Sequence, residues 1–353
     1  MNLLVTGGGG FLGSALLPLL LEAGHRVRLL QRSPAPELEA LGAETRRGSV
    51  EDAAAVRAAL EGVEAVYHLA GRVDFDPQDP AALYALHVQG TRVLLEAAAA
   101  QGVARVVMAS TSGTVAVFRE ERTGTEADPY PLEEVAGWPY YLSKIFQEKA
   151  ALRVAGDTGL ELVVLNPSLL LGPGDARLSS TDVIWKFLQR RVPAMPGGGL
   201  SFVDVRDAAL AFAAALEGGR PGQRYLLGGA NMSFRDLFAR LERISGVAAP
   251  RVSLPASLNL AGARLLERLA SWRGGEAPID APSVEMGERW WYCDSAKAAA
   301  ELGFAPRDPQ ETLVDTVRWL REHLGPSRSS SSSGAGPVPG ASRGCAVGGS
   351  RLG

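Results

Sequence analysis

The sequence of 353 residues predicts an α/β fold: a doubly wound parallel sheet with a smaller, mostly helical C-terminal cap. Two observations lead there. From residue 2 to about residue 166, short β-branched runs alternate with longer Ala- and Leu-rich stretches, the rhythm of repeated βαβ units. The short runs are continuously apolar rather than alternating, as strands covered by helices on both faces must be.

Taken in order, the strand-like runs are Leu3–Thr6, Arg26–Leu30, Ala65–Leu69, Arg105–Ala109 and Glu161–Leu165. Between them lie helix-like stretches at Phe11–Glu22, Ala53–Leu60, Pro80–Gln101 and Tyr140–Asp157. After Asn166 the chain is cut into short pieces by Pro167, Gly172-Pro173-Gly174, Pro193, Pro196 and Gly197-Gly198-Gly199. Helical patterning returns at Asp204–Leu216, Ser233–Ile244, Ala256–Leu269 and Glu311–His323. Residues 1–166 therefore read as the sheet domain, completed by parts of 200–230 such as Tyr225-Leu226-Leu227, and 167–324 as an interleaved cap. Residues 325–353 are mostly Gly, Ser and Pro with no apolar period, too little to offset their ordering entropy, and read as a disordered tail.

Charge and composition narrow the function. A net charge of −3 supplies no positive field for a polyanion, so no nucleic-acid partner is expected. The tail carries Arg328, Arg343 and Arg351 and no acid; without these three of the 36 basic residues, the body holds 33 against 39 acidic ones, a net −6. Two cysteines, Cys293 and Cys345, exclude a disulfide framework, and four scattered histidines offer no ligand spacing, so no metal is expected. Met1 leads straight into strand-like residues, and no apolar run approaches about 18 residues, so the expectation is a cytoplasmic protein with no membrane partner.

Thr6-Gly7-Gly8-Gly9-Gly10-Phe11-Leu12-Gly13 follows the first strand and opens the first helix. In such a turn Gly7 allows the tight bend, Gly10 lets backbone approach a pyrophosphate, and Gly13 lets helix pack on strand. The open helix-start amides then meet phosphate charge. The second strand ends in Gln31-Arg32-Ser33 with no acid to bond a ribose 2′-hydroxyl, so Arg32 favours NADP(H) and leaves NAD(H) as the alternative.

Tyr140 and Lys144 are four apart and share a helical face. A cation near a phenol favours the phenolate, so this spacing predicts a lowered tyrosine pKa and an acid/base near neutral pH. Tyr141 has the wrong spacing for that role. After the strand ending at Ala109 comes Ser110-Thr111-Ser112-Gly113, hydroxyls at the sheet edge where open α/β sheets place ligands. There a hydroxyl can bond a substrate oxygen and stabilise its charge.

These three features resemble the extended short-chain dehydrogenase/reductase (NAD-dependent epimerase/dehydratase) family over residues 1–324. Further matching pieces are His68-Leu69-Ala70-Gly71, Asn166-Pro167-Ser168, Gly172-Pro173-Gly174-Asp175, Phe202-Val203-Asp204-Val205-Arg206-Asp207, Asp294-Ser295-Ala296-Lys297 and Glu301-Leu302-Gly303-Phe304. Within the family the chain is most similar to the dihydroflavonol 4-reductase-like branch, including the hopanoid-associated sugar epimerases. The resemblance implies a Rossmann domain and a catalytic triad of Thr111, Tyr140 and Lys144, with Ser112 as the alternative hydroxyl. It also implies cofactor contacts from Gly7, Gly10, Phe11, Leu12, Gly13, Arg32, Ser49, Val50, Leu69, Ala70, Gly71, Tyr140, Lys144, Pro167 and Ser168.

Two residues depart from the family. Ser49 stands where Asp is usual, and His87 stands where Asn is usual, as a replacement hydrogen-bonding group or as a core histidine. Trp290-Trp291 reads as core before it reads as pocket lining.

Three functions remain open to the sequence: an NADPH-dependent reductase of a carbonyl with Tyr140 as proton donor, a nucleotide-sugar epimerase or dehydratase with tightly held NAD, and a dinucleotide-sensing protein without turnover. Arg32 favours the first, and an intact Tyr140/Lys144 pair disfavours the third. The partner is then a small-molecule carbonyl or a nucleotide sugar, and the family's helix pairing makes a homodimer an option.

Overall fold

In the computed structural model of the protein, which describes residues 1–75, 79–253 and 281–325 and a few positions from 258 to 265, the predicted apolar runs become neighbours in one sheet. The chain runs through β1 (Asn2–Thr6), β2 (Arg26–Gln31), β3 (Glu44–Arg47), β4 (Ala65–His68), β5 (Arg105–Ala109) and β6 (Thr123–Gly124). Then come β7 (Glu161–Pro167), β8 (Leu169–Leu171), β9 (Gly199–Asp204), β10 (Arg224–Leu227), β11 (Ala230–Ser233) and β12 (Tyr292–Cys293). Seven of these form a parallel, Rossmann-like sheet in the order β10-β7-β5-β4-β1-β2-β3. Tyr225-Leu226-Leu227 lies in its edge strand β10.

Each central strand feeds two cores, because successive side chains leave a strand on opposite faces. Leu3 and Val5 join one apolar cluster and Leu4 the other; Val107 parts in the same way from Val106 and Met108, and Val163 and Leu165 from Leu162 and Val164. Helices Phe11–Glu22 and Val205–Gly218 seal the first face through Leu16, Leu20, Ala208 and Phe212. Helices Ala53–Ala59, Gly90–Ala100 and Pro139–Thr158 seal the second through Val56, Leu94, Leu95 and Ala151.

The single helix predicted over Pro80–Gln101 is three pieces: an α-helix at Pro80–Tyr84, a π turn at Ala85–Gln89 and an α-helix at Gly90–Ala100. A three-stranded sheet, β11-β9-β8, packs with helices Asp182–Leu188, Phe234–Ser245 and Pro309–Leu324 around Leu171, Phe202 and Phe238. The helix expected at Ala256–Leu269 falls for the most part outside the described residues, as do residues 326–353 of the expected tail. Among the described residues no helix is long and apolar enough to cross a membrane.

Candidate active site

Strand order reverses between β1 and β4, which opens a crevice at the carboxyl ends of the parallel strands. Thr6 Oγ1 and His68 Nδ1 meet across it at 2.8 Å. Gly7 has φ +75°, and a Cβ there would stand 2.6 Å from the carbonyl carbon of Leu69, so neither conformation nor space admits a side chain. A Cβ on Gly13 would stand 2.5 Å from the Gly7 carbonyl oxygen, which explains how closely helix and turn approach. Gly10 caps helix Phe11–Glu22 without a side-chain bond, leaving the amides at Phe11 and Leu12 open to an anion. Opposite, the amide of Leu69 donates to Thr6 O at 3.0 Å and that of Ala70 to Thr6 Oγ1 at 3.2 Å, bringing Leu69, Ala70 and Gly71 alongside the glycine turn.

Among the buried polar atoms without a partner in the described residues are Gln31 Nε2 at the end of β2 and Ser168 Oγ just after Pro167 ends β7, next to Asn166 Oδ1. Native interiors seldom leave such atoms unpaired, so their position suits a ligand with hydroxyl and amide groups, as a dinucleotide has. Arg32 is exposed beside Gln31. Ser49 bonds Glu51 Oε2 at 3.1 Å, and buried Val50 packs toward Gly90.

Helix Pro139–Thr158 supplies the other side, with Tyr140, Ser143, Lys144, Gln147 and Glu148 all buried. The Tyr140 ring meets Tyr141, Phe75 and His87 at centroid distances of 5.0, 5.6 and 6.0 Å. Burial pushes its phenol well above the ordinary value. The lowered pKa that the Tyr140/Lys144 spacing predicts is therefore absent here. Lys144 Nζ instead donates to the Ala109 carbonyl at 2.9 Å and to Gln147 Oε1. Burial brings the Lys144 ammonium down to about 8, with the charge of Glu148 opposing the shift.

In the hydroxyl cluster, Ser110 Oγ and Thr114 Oγ1 both donate to Glu148 Oε1, the latter at 2.7 Å. Asn166 Nδ2 donates to the same oxygen at 2.6 Å and to the Thr111 carbonyl at 3.2 Å. Tyr130 Oη at 3.2 Å and Arg224 at 3.6 Å complete the shell of this wholly buried carboxylate. Thr111 and Ser112 are left as the two hydroxyls of the cluster that Glu148 does not hold; Thr111 Oγ1 accepts from Gly113 N at 3.3 Å. Trp291 stacks on Trp138 at 5.7 Å, and a Cβ on Gly113 would lie 3.2 Å from it and overlap Tyr141. Trp290 packs instead on Tyr292.

Glu148, Gln147 and Thr91 were given no role from the sequence, and His68 and Gln31 were named only as parts of longer motifs. Gln147 Nε2 donates to Thr91 Oγ1 at 2.8 Å, and Thr91 Oγ1 lies 2.8 Å from His68 Nε2, so Lys144 is tied through them to Thr6 at the glycine turn. Burial, then the charge of Lys144, drives His68 down to about 3. The available signal was spacing: Gln147 and Glu148 follow Lys144 by three and four residues on one helical face.

The profile of the NAD dependent epimerase/dehydratase family matches residues 3–228. A 2-alkyl-3-oxoalkanoate reductase of Stenotrophomonas maltophilia is 34% identical over 343 residues, spanning 91% of this chain and 98% of that one. The crystal structure of gox2253 superposes with a TM-score of 0.80 at 34% identity, covering 92% of this chain and 99% of that one. A UDP-glucose 4-epimerase of Thermotoga maritima, solved with UDP-glucose, gives 0.72 at 25% identity, covering 92% of this chain and all of that one. Reductases and epimerases thus both stand among the relatives, and neither branch dominates.

Proposed function

We propose that this chain, which belongs to the NAD dependent epimerase/dehydratase family, reduces a small-molecule carbonyl with NADP(H), Tyr140 donating the proton. What carries the reading is the place of Tyr140, buried on the helix that lines the crevice and one turn before Lys144, where its phenol, protonated at neutral pH as phenols ordinarily are, can donate. Bound NADPH supplies a hydride, the cofactor's own chemistry. Tyr140 gives its proton to the substrate oxygen as charge develops there. Thr111, or Ser112 as the alternative, hydrogen-bonds the same oxygen. Lys144 donates to the nicotinamide ribose, and its charge steadies the phenolate that remains.

Holding the dinucleotide falls to the backbone of Gly7, Gly10, Phe11, Leu12 and Gly13 at the pyrophosphate and to Leu69, Ala70 and Gly71 alongside. The open amide of Gln31 takes a ribose hydroxyl, Arg32 the 2′-phosphate. Ser49 and Val50 stand at the adenine, and Pro167 and Ser168 at the nicotinamide. The S. maltophilia relative, named for reducing a 2-alkyl-3-oxoalkanoate, makes 3-oxo acids and their esters the first substrates to try.

A second reading, a nucleotide-sugar epimerase with resident NAD, draws on the likeness to the T. maritima epimerase. One experiment separates the two: denature the purified protein and identify any dinucleotide released. An empty site that binds NADPH more tightly than NADH, with the preference lost in Arg32→Glu, is the expected result. Stoichiometric NAD that survives dialysis defeats the reductase.

A further inference from the structure

His87 is wholly buried in the π turn Ala85–Gln89 and touches both sides of the crevice. Its Nε2 accepts from the backbone N–H of Arg72 at 3.1 Å, and its Nδ1 lies 2.8 Å from Ser143 Oγ. A backbone amide only donates, so Nε2 is the bare nitrogen and Nδ1 carries the hydrogen of the neutral ring. Ser143 Oγ accepts that hydrogen and bonds the Tyr140 carbonyl with its own, at 2.7 Å. The donors thus run in one direction, from Arg72 through the ring and Ser143 to the backbone of Tyr140.

Space around the ring is as closely defined. A Cβ on Gly71 would stand 3.4 Å from Nε2, and the Tyr140 ring meets the imidazole edge-on at 6.0 Å. Burial, then the charges of Lys144, His68 and Arg72, hold the imidazole far below its ordinary pKa, so the ring stays neutral, and the Arg72 N–H at Nε2 fixes which tautomer it is. The π turn that delivers His87 departs from regular helix where a site needs a side chain re-aimed.

We propose that His87 is a positioning residue, a neutral strut of fixed orientation that sets the distance between the Leu69–Gly71 backbone, where the dinucleotide passes, and the Tyr140 phenol. The inference rests on Tyr140 as proton donor. It assigns His87 no contact with substrate and no proton transfer; its work is to keep two backbone segments in register.

Three substitutions test it. His87→Phe keeps the bulk of the ring and removes both bonds. Ser143→Ala cuts the same path one bond further on, and His87→Asn restores an amide N–H near the place of Nδ1. In cofactor-free protein, Arg72 amide exchange should quicken about tenfold in His87→Phe and hold steady in Ser143→Ala, the size expected for one part-buried hydrogen bond. Nitrogen NMR of His87 should show a bare Nε2 and a protonated Nδ1 from pH 5 to 9.

With NADPH and ethyl 3-oxobutanoate, kcat should fall about 100-fold in His87→Phe and in Ser143→Ala, the scale of a small misplacement of reacting groups. KM and the NADPH dissociation constant should move less than about threefold, since no binding contact is removed. The double variant should be no slower than either single one, and His87→Asn should recover part of the rate. Unchanged Arg72 exchange in His87→Phe, a Nε2–H tautomer, or additive losses in the double variant overturn the proposal. Should His87→Phe not fold, the kcat and KM of Ser143→Ala decide it; should that ketone not be reduced, exchange and tautomer decide it. A wrong assignment of Tyr140 shows differently, as full turnover in Tyr140→Phe with Arg72 exchange still quickened in His87→Phe.

Discussion

On one side of the crevice Ser110, Thr114, Asn166 and Tyr130 all bond Glu148, and Lys144 is anchored to Ala109 and Gln147. On the other, Gln31 Nε2 and Ser168 Oγ are buried with no hydrogen-bond partner among the described residues. On the first side one carboxylate gathers most of the polar groups before any ligand arrives, although Asn166 Oδ1 and Arg224 Nη1 have no hydrogen-bond partner among the described residues. The second carries an open cost of about 1–3 kcal/mol for each unpaired atom, which a ligand with matching groups removes. The Glu148 network is thus held largely by the protein itself, while Gln31 Nε2 and Ser168 Oγ are left open.

The contrast can be broken most sharply at Tyr140. Its hydroxyl has no hydrogen bond to lose among the described residues, so Tyr140→Phe should keep its melting temperature while NADPH oxidation with a reducible ketone falls about 10²- to 10⁴-fold. Turnover within about tenfold of wild type would place the proton donor elsewhere.

Next in size is the organised side itself. Glu148→Leu leaves Ser110, Thr114 and Asn166 without their shared acceptor and Arg224 without its counter-charge, and should cost about 3 kcal/mol in urea unfolding. An unchanged midpoint would mean that these groups re-pair locally. On the open side the pattern should invert: Gln31→Ala and Ser168→Ala should leave cofactor-free stability unchanged or slightly raised, yet weaken NADPH binding about three- to tenfold by fluorescence titration. Loss of stability without loss of affinity would show that these atoms do not face the ligand.

The smallest effect is a pH dependence. Lys144 has a folded pKa near 8 against an ordinary 10.5, so between those values the unfolded chain keeps a proton that the folded protein has shed. Cofactor-free stability should therefore rise with pH across that window, and Lys144→Met should flatten the rise. A slope that survives the substitution belongs to another group.

Much of the sheet was legible because its physics is local. Central strands buried on both faces must be apolar throughout, and β1, β4, β5 and β7 announce themselves that way. Strand β3, Glu-Thr-Arg-Arg, escaped because an edge strand with one neighbour and an exposed surface needs no apolar run. The π turn at Ala85–Gln89 escaped because Ala and Leu spacing there fits an ordinary helix as well.

By itself the sequence determined which chemical groups reach the crevice, because in a parallel βαβ chain whatever follows a strand arrives at the same carboxyl edge. Gly7, Arg32, Leu69, Thr111 and Ser168 each follow a strand of the seven-stranded sheet. The tertiary structure alone decided what those groups touch. A four-residue spacing puts Tyr140 and Lys144 on one helical face, but whether the ammonium turns to the phenol or to Ala109 depends on atoms from another strand. Likewise nothing within a helix reveals that Glu148 will meet Asn166 from β7 and Ser110 and Thr114 from the segment after β5. Burial adds the last term: it raises the phenol, lowers the lysine and keeps His68 and His87 neutral, and burial exists only once the chain has closed over them.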